Sequence, residues 1–158
     1  MFLRYFVDLP LPFPEVEARL LDHPASWVPG LAREAEDRGE RLLAEVGFPV
    51  DEEHRIGKEV EIQLGAVYRG PSKTLLPLTW RATGPLGLFP SLDADLEVAA
   101  LGASRTQLAI SARYKPPLGA LGRALDRALL HRVAEATVKD FLDRVGETLQ
   151  HRTPTPEP

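Results

Sequence analysis

The chain of 158 residues has no cysteine, which excludes disulfides, thiolate nucleophiles and cysteine-ligated metals and fits a cytoplasmic protein. Histidine is nearly as scarce. His23, His54, His131 and His151 stand apart, without HxxxH or HExxH spacing, so a histidine-ligated metal is not expected. No Gly-x-Ser-x-Gly, phosphate loop or dinucleotide fingerprint occurs, and the expectation is a chain without metal or redox cofactor. Long apolar runs are missing as well: none approaches the roughly 20 residues that span a bilayer. Residues 1–8 lack the apolar core and small-residue cleavage site of a signal peptide. A soluble protein with no stable membrane insertion is expected. Nor does one sign of charge dominate, since 19 Lys and Arg stand against 23 Asp and Glu. The resulting net charge of −4 argues against a nucleic-acid partner.

What is present is ordinary for a globular chain, with 44% hydrophobic and 27% charged residues. The length suits one domain with a real core, predicted over residues 1–150. The proline-rich tail, residues 151–158, cannot form helix or central strand and is predicted disordered or polyproline II.

Residues 2–9 are aromatic and branched, with Leu3, Tyr5, Val7 and Leu9 alternating against Phe2, Arg4, Phe6 and Asp8, and read as a strand. Pro14 then opens a short helix with Val16 and Leu20 on one side, stopped at Asp22-His23-Pro24. A second helix is predicted over residues 31–46, with Leu31, Ala35, Leu42 and Val46 sharing a face and Gly47 as its C-cap. From Ile56 the period becomes two. Ile56, Val60, Ile62, Leu64, Ala66 and Tyr68 are assigned inward, with Arg55, Glu59, Glu61, Gln63 and Arg69 outward. A further strand covers residues 73–82, with Leu76, Leu78, Trp80 and Ala82 inward, and Pro77 marks it as an edge or a bulge.

The clearest pair follows. Leu92, Ala94, Leu96, Val98 and Ala100 face Thr106, Leu108, Ile110, Ala112 and Tyr114 across a hairpin whose loop must hold an odd number of residues, three or five. Asp93, Asp95 and Glu97 point outward as solubilising charges beside Arg105 and Arg113. After Pro116-Pro117, residues 118–150 read as one long helix. Leu130, Ala134, Val138, Phe141, Val145 and Leu149 line its apolar face, with Leu142 beside it.

The order strand, two helices, antiparallel strands, long terminal helix resembles the START-like, or helix-grip, superfamily of polyketide cyclases and lipid-transfer proteins (SRPBCC) across essentially the whole chain. The segments that carry the likeness are Pro12-Phe13-Pro14-Glu15-Val16, the connection holding Trp27, Trp80, Leu88-Phe89-Pro90, residues 114–119 and residues 125–134. The implied fold is α+β: a curved antiparallel sheet wrapped around the long C-terminal helix, with two further helices between strands 1 and 2. The resemblance also implies an apolar cavity between sheet and helix. Five strands can be counted where six or seven are usual in that superfamily, so either a short strand is hidden or the sheet is smaller.

The residues singled out for a hydrophobic small molecule or lipid are Tyr68, Trp80, Leu96, Leu108, Ile110 and Tyr114 on the sheet, a mostly apolar wall with a few polar handles. The plain alternative is that they fill the core. On the terminal helix, Arg123, Arg127 and His131 recur every four residues opposite Leu118, Leu121, Leu125 and Leu129. They form either a cationic entrance for a carboxylate or phosphate, which Arg grips bidentately, or a solvated face balanced by Asp126. Two further readings stay open: a cyclase or dehydratase working with Tyr68, Tyr114, Arg113 and His131, and an interaction module using the leucine face of residues 118–129. A homodimer is allowed.

Overall fold

A computed structural model describes residues 2–22, 27, 32–34, 41–82, 91–115 and 127–151. The elements are β1 (Phe2–Leu9), α1 (Phe13–Asp22), β2 (Ala32–Glu34), β3 (Arg41–Pro49), β4 (Arg55–Leu64), β5 (Tyr68–Arg69), β6 (Lys73–Ala82), β7 (Ser91–Ala100), β8 (Thr106–Lys115) and α2 (Arg127–His151). One antiparallel sheet runs β1-β8-β7-β6-β4-β3-β2, with β5 paired to β6. Helix α2 touches β1 and β8 near one end of that order and β3 near the other. A single helix can meet strands that far apart only if the sheet curls around it, which is the helix-grip arrangement expected.

The strand count is corrected upward, because the predicted helix over residues 31–46 is replaced by β2 and β3. Residues 32–34 and 41–46 are rich in helix formers, but pairing of β2 with β3 and of β3 with β4 overrides that weak local preference. A two-residue period was present all along. Leu42, Ala44, Val46 and Phe48 alternate, and Ala44 and Val46 are buried opposite Val60 and Lys58. Gly47 is therefore no helix cap. It lies opposite Gly57 inside the β3–β4 ladder, and a Cβ there would sit 1.9 Å from the Ile56 carbonyl oxygen. Bare backbone at both positions lets the two strands approach that closely. Of the two helices expected between the first strands, α1 is present; residues 23–26 and 28–31 lie outside the described residues.

The β7–β8 hairpin follows its expected register, with Leu92 opposite Tyr114, Leu96 opposite Ile110 and Ala100 opposite Thr106. Its loop, residues 101–105, has the required odd length, and Gly102 supplies the left-handed turn residue at φ 76°. Charge matching across the hairpin is thinner than expected: Asp93 opposes Arg113, whereas Glu97 opposes Ala109. Glu97 instead reaches Lys73 of the neighbouring β6 at 3.3 Å and Arg4 of β1, two strands away, at 3.9 Å.

Strand β6 is not an edge, for it lies between β4 and β7. Pro77 is tolerated because the strand beside it breaks between Leu64 and Tyr68. At that break the Gly65 amide donates to the Pro77 carbonyl at 2.7 Å, and a Cβ on Gly65 would come within 2.9 Å of the proline ring. The side of β6 that lacks an amide donor thus faces an interrupted ladder: the bulge lies in the facing β4–β5 segment and not in β6, whose register with β7 is unbroken.

The core lies between the sheet and the two helices. Ala134, Val138, Phe141, Leu142, Val145 and Leu149 of α2 are buried, as their spacing predicted. Gly146 is the point of closest approach, since a Cβ there would lie 3.3 Å from Val7 and 3.6 Å from Leu9. Charged clasps flank this contact. Arg55 grips Asp140 through two 2.7 Å hydrogen bonds, Tyr5 donates to Asp143 at 3.1 Å, and Arg19 of α1 donates to the Leu149 carbonyl.

Candidate functional site

In an antiparallel sheet, paired residues share a face, so the register lays out the helix-facing wall in rows. The first row is Ile62, Trp80, Leu92 and Tyr114, and the second is Leu64, Leu78, Ala94, Ala112 and Leu3. The third row is Leu76, Leu96, Ile110 and Tyr5, followed by Thr74, Val98, Leu108 and Val7. Trp80, Leu96, Leu108, Ile110 and Tyr114 are all buried here. They do not share one environment. Leu108 is covered by α2, with its side chain 3.9 Å from where a Gly146 Cβ would be, so it serves the grip itself.

The first row differs from the rest. Trp80 meets Phe141 edge-on at 5.2 Å, a geometry worth about 0.5–1.5 kcal/mol beyond burial. Beside it the Tyr114 hydroxyl lies 3.5 Å from His131 Nδ1, with the rings 6.3 Å apart. Burial pushes the Tyr114 hydroxyl above its ordinary pKa, which keeps it a proton donor. Among the described residues, β1 pairs with β8 as far as Arg113. This end of the wall therefore combines aromatic surface with two polar tips, on the half-buried His131 and the buried Tyr114.

Tyr68 does not join them. It is 71% exposed on the outer face, and the cause is a change of phase at residues 65–67. Strand β4 pairs even residues with even ones, such as Ile62 with Trp80, whereas Tyr68 opposes Leu75 and Arg69 opposes Thr74. The extra residue flips the alternation. Ile56 keeps the face of Val60 in the β3–β4 register but is exposed there. Arg123, the side chain of Arg127 and the leucine face of residues 118–129, apart from exposed Ala128, lie outside the described residues, as do residues 152–158 of the tail.

The same flip creates a cluster that strand periodicity missed. Arg69, expected outward, donates to Glu17 Oε1 of α1 at 2.6 Å, and Thr74 donates to Glu17 Oε2. Burial pushes the Glu17 carboxyl up, yet the hydrogen bonds from Arg69 and Thr74 and the Arg69 charge together hold it below its ordinary value. A signal was legible, since Phe13, Val16, Glu17 and Leu20 follow the i, i+3, i+4, i+7 spacing of one helix face. A carboxylate on a buried stripe calls for a partner. Thr106 is satisfied differently, donating to the Leu11 carbonyl at 2.7 Å, and so acts as a structural tie.

Among the described residues no group of three His, Cys, Asp or Glu could hold a metal ion, and no helix is long and apolar enough to cross a membrane. No protein-family model matches the sequence, and no curated protein matches it. Solved structures do match. The Zhui aromatase/cyclase from Streptomyces sp. R1128 is similar with a TM-score of 0.56 and 15% identity, over 96% of this chain and 94% of that one. A START superfamily protein from Mycobacterium smegmatis is similar with a TM-score of 0.54 and 14% identity, over 94% of each chain. A conserved protein from Geobacillus kaustophilus gives 0.57 and 15%, over 94% and 95%. With the sheet curled around α2 and these likenesses spanning nearly the full length, the fold is the START-like helix grip.

Proposed function

We propose that this protein binds a hydrophobic small molecule or lipid between the sheet and α2, at the end of the wall lined by Trp80, Leu92, Tyr114 and Phe141. The observation that carries this reading is the Tyr114–His131 pair, two polar tips 3.5 Å apart at the edge of an otherwise apolar, aromatic row. Apolar walls supply affinity through burial, and a few convergent polar groups fix a ligand's orientation. Tyr114 and His131 hold the polar end of the ligand. In sequence Arg127 and Arg123 precede His131 by four and eight residues, and both are assigned to the acidic head group, which Arg grips bidentately.

Native mass spectrometry of the recombinant chain tests this. The expected result is a retained lipid or fatty acid, with affinity for an acidic lipid falling about five- to tenfold in Tyr114→Phe, the cost of one hydrogen bond. Arg123→Ala with Arg127→Ala weakens an acidic lipid and spares a neutral one. A chain that emerges empty and takes up neither fatty acids nor phospholipids overturns the reading.

A second reading, a cyclase or dehydratase acting on a polyketide-like substrate, draws on the same pair. A tyrosine held protonated can donate to a substrate carbonyl oxygen while the imidazole beside it accepts a proton from the adjacent carbon. Turnover of a poly-β-ketone substrate, abolished in His131→Ala, would favour it.

A further inference from the structure

Strand β1 ends the sheet order, and among the described residues no strand pairs with its other edge. Eight residues long, it carries apolar groups on both faces: Phe2 and Phe6 are 59% and 56% exposed outside, and Leu3, Tyr5 and Val7 are only half-buried inside. Natural edge strands usually blunt such a template with charges, prolines or bulges. Here the charges are Arg4 and Asp8, and their placement is the informative feature.

Around Phe6 the strand reads Leu3-Arg4-Tyr5-Phe6-Val7-Asp8-Leu9. An antiparallel pairing of two identical strands is isologous, so residue i must suit residue j and j must suit i. With Phe6 on the twofold axis, Tyr5 opposes Val7, Leu3 opposes Leu9, and Arg4 opposes Asp8 twice over. Every pair is either apolar with apolar or positive with negative. Moving the axis to Tyr5 destroys the match, setting Arg4 against Phe6 and Phe2 against Asp8. Moving it to Arg4 places two arginines face to face. The present contacts of the two charges are long: Arg4 lies 3.9 Å from Glu97 and donates to the Ser111 hydroxyl at 3.4 Å, and Asp8 lies 3.4 Å from Arg105, with Arg4, Asp8 and Arg105 exposed.

We infer that β1 is a self-association edge: two copies of this chain join β1 to β1 antiparallel, centred on Phe6, into one continuous sheet. The occupant is a second copy because the complementarity is palindromic, which a different partner has no reason to satisfy. The Phe6 rings meet at the axis on the outer face, and the Arg4–Asp8 pairs flank them and fix the register.

Sedimentation of the full chain across micromolar concentrations tests this, with a dimer of twice 17.4 kDa expected. Arg4→Asp alone or Asp8→Arg alone sets like charges opposite each other and weakens the dimer by about tenfold or more. Combining the two swaps restores it. A wild type that stays monomeric, single reversals without effect, or a double swap that fails to rescue each overturn the inference. Circular dichroism establishes that each variant is folded. An independent readout uses the absence of native cysteine: Phe6→Cys forms a disulfide dimer under mild oxidation, whereas Glu53→Cys, on the exposed β3–β4 turn, does not. Equal crosslinking in both variants, or none in Phe6→Cys, rejects the pairing even if charge variants misfold.

Discussion

Glu17 shows how one residue inherits its chemistry from two distant strands. Its carboxylate stays ionised while buried because Arg69, brought to the inner face by the phase change at residues 65–67, and Thr74 of β6 supply two hydrogen bonds and a charge. The sign of its pH effect follows from the lowered pKa. A carboxyl held below its unfolded value contributes stability that is complete above the ordinary value of 4.5 and is lost as pH falls through the folded value. Arg69 is largely solvent-exposed, which limits the charge contribution by screening. Glu17→Gln is expected to cost about 1–2 kcal/mol at neutral pH. Its stability should fall less steeply than wild type's below pH 4.5, read by urea unfolding at several pH values. Parallel acid limbs in the two proteins would remove Glu17 from the account.

At the level of elements, the grip depends on how near α2 can come to β1 and β8. Gly146 sets that distance, with Val7, Leu9 and Leu108 arrayed where a side chain would be. Gly146→Ala gains about 1 kcal/mol of helix propensity and spends it on a 3.3 Å contact with Val7, so it should be nearly neutral. Gly146→Leu has nowhere to go and should lose about 2 kcal/mol or more from overpacking, measured by thermal or denaturant unfolding. A leucine variant as stable as the alanine one would mean that the helix is free to lift. The strands β2 and β3 teach a different lesson. Residues 42–46 satisfy a helical spacing and a strand alternation at once, and the choice belongs to β4, which offers them a ladder and buries Ala44 and Val46.

For the whole molecule, the last element closes a surface that the first and middle ones build. Trp80, Leu92, Leu96, Val98, Leu108, Ile110 and Tyr114 lie on one sheet face, and α2 is the long element that covers it. A chain ending at Lys115 would leave that face in water, an apolar expanse larger than soluble domains tolerate. Such a truncation is expected to lose cooperative unfolding and to aggregate, whereas removal of residues 152–158 should leave the unfolding midpoint unchanged. Circular dichroism and calorimetry of the two truncations decide this.

Periodicity alone determined β1, α1, β6, the β7–β8 hairpin with its odd loop, and the buried face of α2, because each owes its shape to its own pattern of apolar residues. The likeness to the helix grip was legible in these elements, while the second helix of the expected order is strand. Tertiary structure decided the rest. It turned residues 32–34 and 41–49 into strands, turned Tyr68 out and Arg69 in, and set His131 beside Tyr114. These outcomes hinge on a single inserted residue, a neighbouring strand or a distant helix. Local pattern carries no information about such partners until the chain has brought them together.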